Sequence, residues 1–246
     1  MEIGLIGSGN MARALAVGWG EPVLCTDAGS GRAAALVAEL GGEAVAGPAA
    51  VAAGADVVVL AHKPYQLGIV AAEAQAARLV VSVLGGVSLA DLRQAYPQAE
   101  VAAVMPNTAS AVRRGVTLLA EGSDAADRVT ALFERVGTVT VLPESQLAAA
   151  TGISGVGTAY VALLAEAWAD AGIRAGLKPA VAGALVAETL SGGAALLVDA
   201  GHDTLAVRRA VTSPGGTTAR VLRALEAAGV RDALQDAMDA TAGTGR

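Results

Sequence analysis

The sequence predicts a doubly wound α/β domain followed by an all-helical domain. Up to residue 142, short runs of Val, Ile and Leu alternate with Ala-rich helical segments, which is typical of a parallel sheet covered by helices. A Gly-Ser-Gly turn joins the first strand directly to the first helix. After Pro143 only segments with helical spacing remain, so we place the domains at 1–145 and 146–246.

The predicted elements follow from these patterns in chain order. Strands are expected at 2–6, 23–26, 57–61, 79–83, 101–105, 116–120 and 139–142. Helices are expected between the early strands at 10–19, 31–40 and 65–77. The second domain should contain helices at 145–172, 179–200, 204–212, 217–228 and 230–242, separated by Gly172, Gly176, Gly201 and Gly229.

Composition excludes several classes of function. The net charge is −6 and the chain has no basic stripe, so we expect no nucleic-acid partner. Cys25 is the only cysteine, which excludes a disulfide framework or a cysteine-rich zinc site and favours a cytoplasmic protein without a metal. The N-terminus does not resemble a signal peptide. The uncharged segment 145–165 contains too many Gly, Ser and Thr residues for a membrane span, so we expect a buried helix there.

The turn after the first strand carries a dinucleotide-binding pattern. Gly7-Ser8-Gly9-Asn10-Met11-Ala12 fits G-x-G-x-x-G/A between Ile6, which ends the strand, and the first helix. The first glycine permits the turn, the second lets a diphosphate approach, and Ala12 allows close packing of the helix on the strand. The N–H groups at the helix start favour an anion. The pattern predicts NADH or NADPH bound along Ile6–Met11; a glycine turn without a nucleotide is the alternative.

Asp27 ends the second predicted strand, about 20 residues beyond Gly7, where a carboxylate can accept hydrogen bonds from the adenosine ribose. This position favours NADH. Ser30 and Arg32 follow closely and could instead hold the 2′-phosphate of NADPH, and a solvated turn aspartate is the third interpretation.

Two further motifs follow predicted strands at the same edge of the sheet. Ligands bind outside the carboxyl ends of strands, so Ala61-His62-Lys63-Pro64 should border the nicotinamide. His62 could take part in the chemistry, or it could simply be solvated or bonded to the backbone. Asn107, in Met105-Pro106-Asn107, could donate toward the cofactor or substrate, or it could form a turn.

The segment Val211-Thr212-Ser213-Pro214-Gly215-Gly216-Thr217-Thr218 lies between two predicted helices and opens the second. Two glycines before hydroxyl residues expose backbone N–H groups at a helix start, which suits a carboxylate. A helix-capping loop is the alternative, because Ser and Thr are good N-cap residues.

This octapeptide resembles the signature of pyrroline-5-carboxylate reductases. Similar stretches occur in order along nearly the whole chain: Gly7–Ala12, Lys63-Pro64, Met105–Thr108, Ile153–Tyr160 and Glu166–Gly172. The resemblance implies a Rossmann-type N-terminal domain, a helical C-terminal domain that forms a homodimer by interlocking with its partner, and a substrate site at the junction. It also implies that higher rings of dimers occur in the family.

The resemblance also implies roles for residues of this chain. Ser213 and the backbone of Gly215, Gly216 and Thr217 should bind the substrate carboxylate, and the Thr218 hydroxyl should meet the ring nitrogen as the catalytic contact. Gly7–Met11 should hold the diphosphate, and Ala61, Lys63 and Pro64 should line the nicotinamide side.

The implied reaction is the reduction of Δ1-pyrroline-5-carboxylate to proline, in which hydride passes from nicotinamide C4 to the imine carbon. A protonated imine is already electrophilic, so the protein mainly has to position it. Four residues depart from the family's pattern. His62 replaces an apolar residue, and Thr158, Ala109 and Asp203 stand where proline is usual.

Three other functions share some of these features. A reductase of another cyclic imine acid would use the same two motifs. A β-hydroxyacid dehydrogenase would share the first motif only, and the Ser-Pro-Gly-Gly-Thr-Thr loop is evidence against it. A nucleotide-sensing or scaffold protein would have kept the fold without turnover.

Overall fold

The computed structural model describes residues 1–241. It divides into two compact units, one up to Thr158 and one from Ala159 onward. The predicted end of the last helix at 242 and the limit of the second domain at 246 lie outside the described residues.

The first unit is built on an eight-stranded sheet. Its strands are β1 (Ile3–Ile6), β2 (Val23–Thr26), β3 (Gly42–Ala44), β4 (Val57–Leu60), β5 (Leu79–Ser82), β6 (Glu100–Met105), β7 (Gly115–Ala120) and β8 (Gly137–Leu142). They lie in the order β3-β2-β1-β4-β5-β6-β7-β8. Since the chain leaves β1 in one direction and returns to β4 on its other side, the point between β1 and β4 is where ligands are expected to bind. The predicted doubly wound fold is confirmed.

Seven helices accompany this sheet. They are α1 (Asn10–Trp19), α2 (Arg32–Leu40), α3 (Pro48–Gly54), α4 (Leu67–Glu73), α5 (Leu89–Ala95), α6 (Ala126–Glu134) and α7 (Leu147–Ser154). Short 3₁₀ turns occupy Pro64–Gln66, Thr108–Val112 and Glu144–Gln146. The predicted first helix has the bounds found in the structure.

The central strands of the sheet are buried on both faces, and alternate residues of β4 serve opposite layers. Val57 and Val59 join the core that includes α1, α2 and α6, whereas Val58 and Leu60 join the core on the other face. All four side chains are fully buried. This two-sided burial explains why β4 appears in the sequence as a continuous apolar run rather than an alternating one.

One strand pair departs from the predicted parallel sheet. β6 and β7 are antiparallel, with Val104 opposite Leu119. Only Pro106–Arg114 connects them, and a parallel crossover needs about a dozen residues or more. The connection is therefore too short to return the chain to the same edge.

Four elements were not predicted: β3, α3, α5 and α6. β3 is exposed and three residues long, too short to show a periodic pattern. α5 did carry a usable signal, because Ser88 accepts the Asp91 N–H while the Asp91 carboxylate accepts the Ser88 N–H, a capping box readable as S-x-x-D.

The division between the units falls after α7, whereas the sequence places the domain boundary at 145. α7 contacts β7, and Leu147 belongs to the second core of the sheet. Because of this packing, α7, which follows the predicted boundary at 145, belongs to the α/β unit. The predicted single helix 145–172 is also interrupted, since α7 ends at Ser154 and the next helix begins at Gly157.

Up to residue 241, the second unit contains helices only, as predicted. They are α8 (Gly157–Arg174), α9 (Pro179–Asp199), α10 (Thr204–Ala210), α11 (Thr217–Ala227) and α12 (Val230–Thr241). α8 begins just before the division between the units.

Many apolar side chains of the helical unit are exposed in the single chain. Trp168 is 51% exposed and Leu185 54% exposed. Within 145–165, Val161 is 53% exposed and Leu163 is 65% exposed, so the expectation of a buried helix there is wrong for the chain alone. By length and composition, Glu144–Arg174 and Pro179–Asp199 could cross a membrane, a test that core helices of soluble proteins also pass.

Candidate active site

Gly7 forms the turn after β1 and lies against the segment that follows β4. Its φ is 101°, a conformation that favours glycine. A Cβ at this position would lie 2.6 Å from the carbonyl carbon and oxygen of Ala61 and 2.7 Å from the backbone nitrogen of His62. The loops after β1 and β4 therefore meet at the carboxyl edge of the sheet, and only a glycine at position 7 leaves room for that contact.

Gly9 leaves the space in front of the helix open. No heavy atom lies within 4 Å of the position its Cβ would take, after its own chain neighbours are left aside. Gly9 is the N-cap of α1 and supplies no side-chain cap, so the first N–H groups of α1 have no intrahelical acceptor. An open approach to uncapped amides at a ten-residue helix fits the diphosphate of a dinucleotide.

The residues next to these glycines differ in how far they are available to a ligand. The Ser8 hydroxyl donates to the Thr26 carbonyl oxygen at 3.2 Å, and Gly7 N–H donates to the same oxygen at 2.9 Å. The Ile6 side chain is 3% exposed and packs in the core, so it offers no surface to a cofactor. Asn10 is exposed and Met11 is half-buried.

Asp27 organises the loop between β2 and α2. Its Oδ1 accepts the N–H groups of Gly29 and Ser30, and its Oδ2 accepts the Ser30 hydroxyl and the Ala33 N–H at 2.8 Å. The Ala33 N–H and these other donors hold the pKa of the Asp27 carboxyl below its usual range. Each carboxylate oxygen therefore already accepts two hydrogen bonds, and a ribose hydroxyl would compete with them.

A cavity of about 220 Å³ lies beside Gly9. Its other lining residues include Asn10, Arg13 and Arg32. Arg13 forms a two-point ion pair with Glu39. Arg32 makes no hydrogen bond or ion pair with the described residues, which leaves its guanidinium able to meet an anion.

The segment Ala61–Pro64 borders the same edge, where β4 ends. Ala61 N–H donates to the Ile6 carbonyl at 2.8 Å, and Lys63 N–H donates to the Gln66 side chain at 3.1 Å. Pro64 begins the 3₁₀ turn. The Lys63 side chain is exposed and makes no hydrogen bond or ion pair with residues 1–241.

His62 is half-buried in this segment. Its Nδ1 lies 2.8 Å from the Lys63 carbonyl oxygen and must be the donor, because a carbonyl can only accept. Its buried Nε2 has no partner within the described residues. Burial lowers the pKa of His62, so the ring is neutral at pH 7 and Nε2 is an acceptor. This environment is unsuited to a proton donor.

Asn107 has a structural position rather than the predicted donor role. Its amide donates to the Ser154 carbonyl at 2.9 Å, and its Oδ1 accepts the Val116 N–H at 3.2 Å. The residue is 6% exposed. Asn107 therefore ties the end of α7 to β7, and its prediction as a cofactor ligand is not supported.

The loop before α11 exposes part of the predicted anion site. Gly216 is the N-cap of α11 and has no side-chain cap, so the Thr217 and Thr218 N–H groups have no intrahelical acceptor. The Gly216 N–H is expected from the sequence to be free for a ligand. In the structure it donates to the Ser213 carbonyl oxygen at 3.1 Å and is therefore occupied. A Cβ on Gly216 would clash with the Ser213 Oγ.

The hydroxyls of this loop differ in their partners. Thr218 is half-buried, and its hydroxyl makes no hydrogen bond with the described residues. Because Gly216 is the N-cap, the alternative in which Thr218 caps the helix is excluded. The Thr217 Oγ1 accepts from Arg220, which also donates to the Gly215 carbonyl. Sequence reasoning missed Arg220, although its spacing of three from Thr217 on a helix was a usable signal.

Each unit thus carries a set of groups suited to binding an anion. The first presents an open turn and uncapped amides suited to a diphosphate, and the second presents unpaired amides and hydroxyls suited to a carboxylate. Within residues 1–241 no group of three or more His, Cys, Asp or Glu side chains is arranged to hold a metal ion.

Family models match both parts of the chain. The family described as pyrroline-5-carboxylate reductase dimerisation matches residues 144–246, and the family described as NADP oxidoreductase, coenzyme F420-dependent, matches residues 2–86.

Similar proteins cover three quarters or more of the chain. Pyrroline-5-carboxylate reductase of Synechocystis sp. is 39% identical and spans 75% of this chain and 72% of that protein. Its counterpart in Methanosarcina acetivorans is 33% identical and spans 96% and 94%.

Two solved structures have the same fold over almost their full length. Pyrroline carboxylate reductase of Plasmodium falciparum, solved with NADP bound, superposes with a TM-score of 0.85 at 25% identity, covering 98% of this chain and 95% of that one. The enzyme of Coxiella burnetii has a TM-score of 0.83 at 29% identity and covers 100% and 98%. These matches confirm the family inferred from the motifs: the chain belongs to the pyrroline-5-carboxylate reductase family of NAD(P)-dependent oxidoreductases.

Proposed function

We propose that this protein reduces Δ1-pyrroline-5-carboxylate to L-proline with NADPH or NADH, the last step of proline biosynthesis. The observation that carries the proposal is the loop Ser213–Thr218, where two unpaired backbone N–H groups and an unpaired Thr218 hydroxyl occur at one helix start. A carboxylate and a ring nitrogen close together on one small substrate match these groups.

In this proposal the first unit binds the cofactor and the second holds the substrate. The amides that follow Gly9 receive the diphosphate, and Arg32 and Ser30 lie near the adenosine end. Ala61, His62, Lys63 and Pro64 border the nicotinamide. Ile6 and Asn107 contribute through the strand and loop they hold in place rather than through their side chains.

The residues of the loop position the imine. The bound nicotinamide supplies hydride to the imine carbon. The Thr217 and Thr218 N–H groups and the Ser213 hydroxyl bind the carboxylate, and the Thr218 oxygen accepts the N–H of the protonated ring nitrogen. The substrate or solvent provides that proton, so no acid–base pair of side chains is required.

The choice between the cofactors rests on the loop after β2. The Asp27 carboxylate is occupied by its own loop, and Arg32 is free to meet a 2′-phosphate. Both observations favour NADPH, whereas the negative charge of Asp27 favours NADH. The P. falciparum relative was solved with NADP.

We further propose that the protein works in the cytoplasm as a homodimer formed through the C-terminal helices, with neither a nucleic acid nor a membrane as partner. The match to the dimerisation family and the exposed apolar side chains of α8 and α9 support a partner chain on these helices. A higher ring of dimers is the next level of this assembly.

Steady-state oxidation of NADH and of NADPH, measured in parallel with synthetic pyrroline-5-carboxylate, tests the function. Cofactor oxidation that depends on the imine and yields proline is the expected result. A preference for a six-membered cyclic imine acid would favour the related reductase. Cofactor binding without turnover of any imine would favour a nucleotide sensor.

A further inference from the structure

Arg220 bridges two groups of the loop that precedes its own helix. One terminal nitrogen of the guanidinium donates to the Gly215 carbonyl oxygen at 3.0 Å, and the other donates to the Thr217 Oγ1 at 3.0 Å. Arg220 itself is exposed, so three of its five N–H donors remain for solvent or a ligand. The side chain therefore links the glycine turn to the first residue of α11.

This contact determines what the Thr217 hydroxyl can do. A hydroxyl has one proton and two lone pairs, and a guanidinium can only donate. Because the Oγ1 accepts from Arg220, its proton is left to donate elsewhere, and it donates to none of the described residues. Accepting from a charged donor also polarises the hydroxyl and strengthens its own donation.

The same contact removes an unfavourable group from an anion site. An unpaired carbonyl oxygen beside a bound carboxylate would repel it. Because the Gly215 carbonyl oxygen accepts a hydrogen bond from the Arg220 guanidinium, this repulsion is reduced. The surrounding sequence has the same polarity: residues 204–225 contain arginines but no acidic residue, in a chain with a net charge of −6. The loop is thus a locally positive segment of an acidic protein.

We propose that Arg220 is a positioning residue for the substrate carboxylate, which it serves by fixing the Thr217 hydroxyl as a donor and by holding the Gly215 carbonyl. The inference rests on the proposed function, because it requires the loop to bind a carboxylate. It concerns a residue outside the Ser-Pro-Gly-Gly-Thr-Thr segment and makes Arg220 a determinant of specificity for imines that carry an acid group.

The test compares two variants on two substrates. Arg220→Gln removes the bridging guanidinium. Arg223→Gln is the matched control, because it removes the same charge from the same helix and Arg223 makes no hydrogen bond to the loop. The substrates are pyrroline-5-carboxylate and 1-pyrroline, which is the same ring without the carboxylate. Thermal unfolding of each variant checks that it is folded.

We expect Arg220→Gln to lower kcat/KM for pyrroline-5-carboxylate by about 10- to 100-fold relative to Arg223→Gln, mainly through KM. For 1-pyrroline the two variants should be equal, since the lost contact serves the carboxylate. Inhibition by L-proline and by L-prolinamide, which lacks the carboxylate, makes the same comparison at equilibrium. In Arg220→Gln the inhibition constant of L-proline should rise, whereas that of L-prolinamide should stay unchanged. Arg220→Lys should be intermediate, because an ammonium group cannot hold both acceptors as a planar fork does.

Equal losses on both substrates would overturn the proposal, since they would mean that Arg220 only maintains the loop or helix. An unchanged kcat/KM for pyrroline-5-carboxylate would also overturn it. Failure of the proposed function looks different: the unsubstituted protein would then turn over neither imine and would show no competition by proline.

Discussion

Gly7 and His62 belong to motifs far apart in the sequence, yet a Cβ on Gly7 would lie 2.7 Å from the His62 backbone nitrogen. β1 and β4 are paired neighbours, with Ile6 opposite Leu60, so the loops that follow them meet. The turn proposed to hold the cofactor and the segment proposed to border the nicotinamide are therefore brought together by sheet topology at the point expected for ligand binding.

This contact predicts opposite effects for two glycine substitutions. Gly7→Ala should lower the melting temperature markedly, because its φ of 101° and the Ala61 backbone both exclude a side chain. Gly9→Ala should fold normally, since nothing lies near its Cβ position, but should raise the KM for the nicotinamide cofactor. Thermal unfolding and cofactor titration of both variants check this. A stable Gly7→Ala protein, or unchanged cofactor KM in Gly9→Ala, would contradict the assignment.

Asp27 provides a test of cofactor preference. Asp27→Ser and Asp27→Asn both remove the negative charge that would repel a 2′-phosphate, so each should lower the NADH/NADPH ratio of kcat/KM. Both also weaken the hydrogen bonds to Gly29, Ser30 and Ala33, which should appear as a lower melting temperature. If both variants keep the original ratio, Asp27 serves only the loop.

Thr218→Ala should reduce kcat/KM by roughly 10- to 150-fold, because a hydrogen bond to a charged group contributes about 1.5–3 kcal/mol. Gly216, not Thr218, is the N-cap of α11, so the melting temperature should change little. A loss confined to kcat would indicate a contact that strengthens in the transition state, and a loss confined to KM would indicate uniform binding. Near-normal kinetics with a lowered melting temperature would show that Thr218 is structural.

His62 should make the folded state less stable in mild acid. Its pKa is lowered by burial, so between the folded value and the ordinary value near 6.5 the unfolded chain binds more protons. The free energy of unfolding therefore falls as the pH decreases below about 6.5. In His62→Gln this component should be absent, which denaturant titrations of both proteins at several pH values will measure. Parallel pH profiles for the two proteins would refute it.

The helical unit should be stable only with a partner. α8 and α9 line an apolar cavity of about 360 Å³ that includes Trp168, Leu185 and Val186, and the first two side chains are half-exposed in the single chain. Sedimentation at micromolar concentration should show a dimer, and Leu185→Arg should shift the protein toward monomer and lower its melting temperature. A stable monomer of the unsubstituted protein would refute the prediction.

The sequence was sufficient for features encoded by local patterns. The bounds of α1, most strand positions, the change to helices after Pro143 and both glycine loops follow from periodicity and turn residues within short windows. Such windows contain the signal because backbone geometry and the burial of one face repeat every two or 3.6 residues.

Only the tertiary structure decided which partners these residues have. Asn107 is pinned between Val116 and Ser154, the Asp27 carboxylate is filled by its own loop, and Gly216 rather than a threonine caps α11. The antiparallel pairing of β6 with β7 was also missed, although the short connection between the two predicted strands requires it. A residue type fixes how many hydrogen bonds a side chain can make, but the fold determines which groups come within reach, and a side chain already occupied in the fold is no longer free for a ligand.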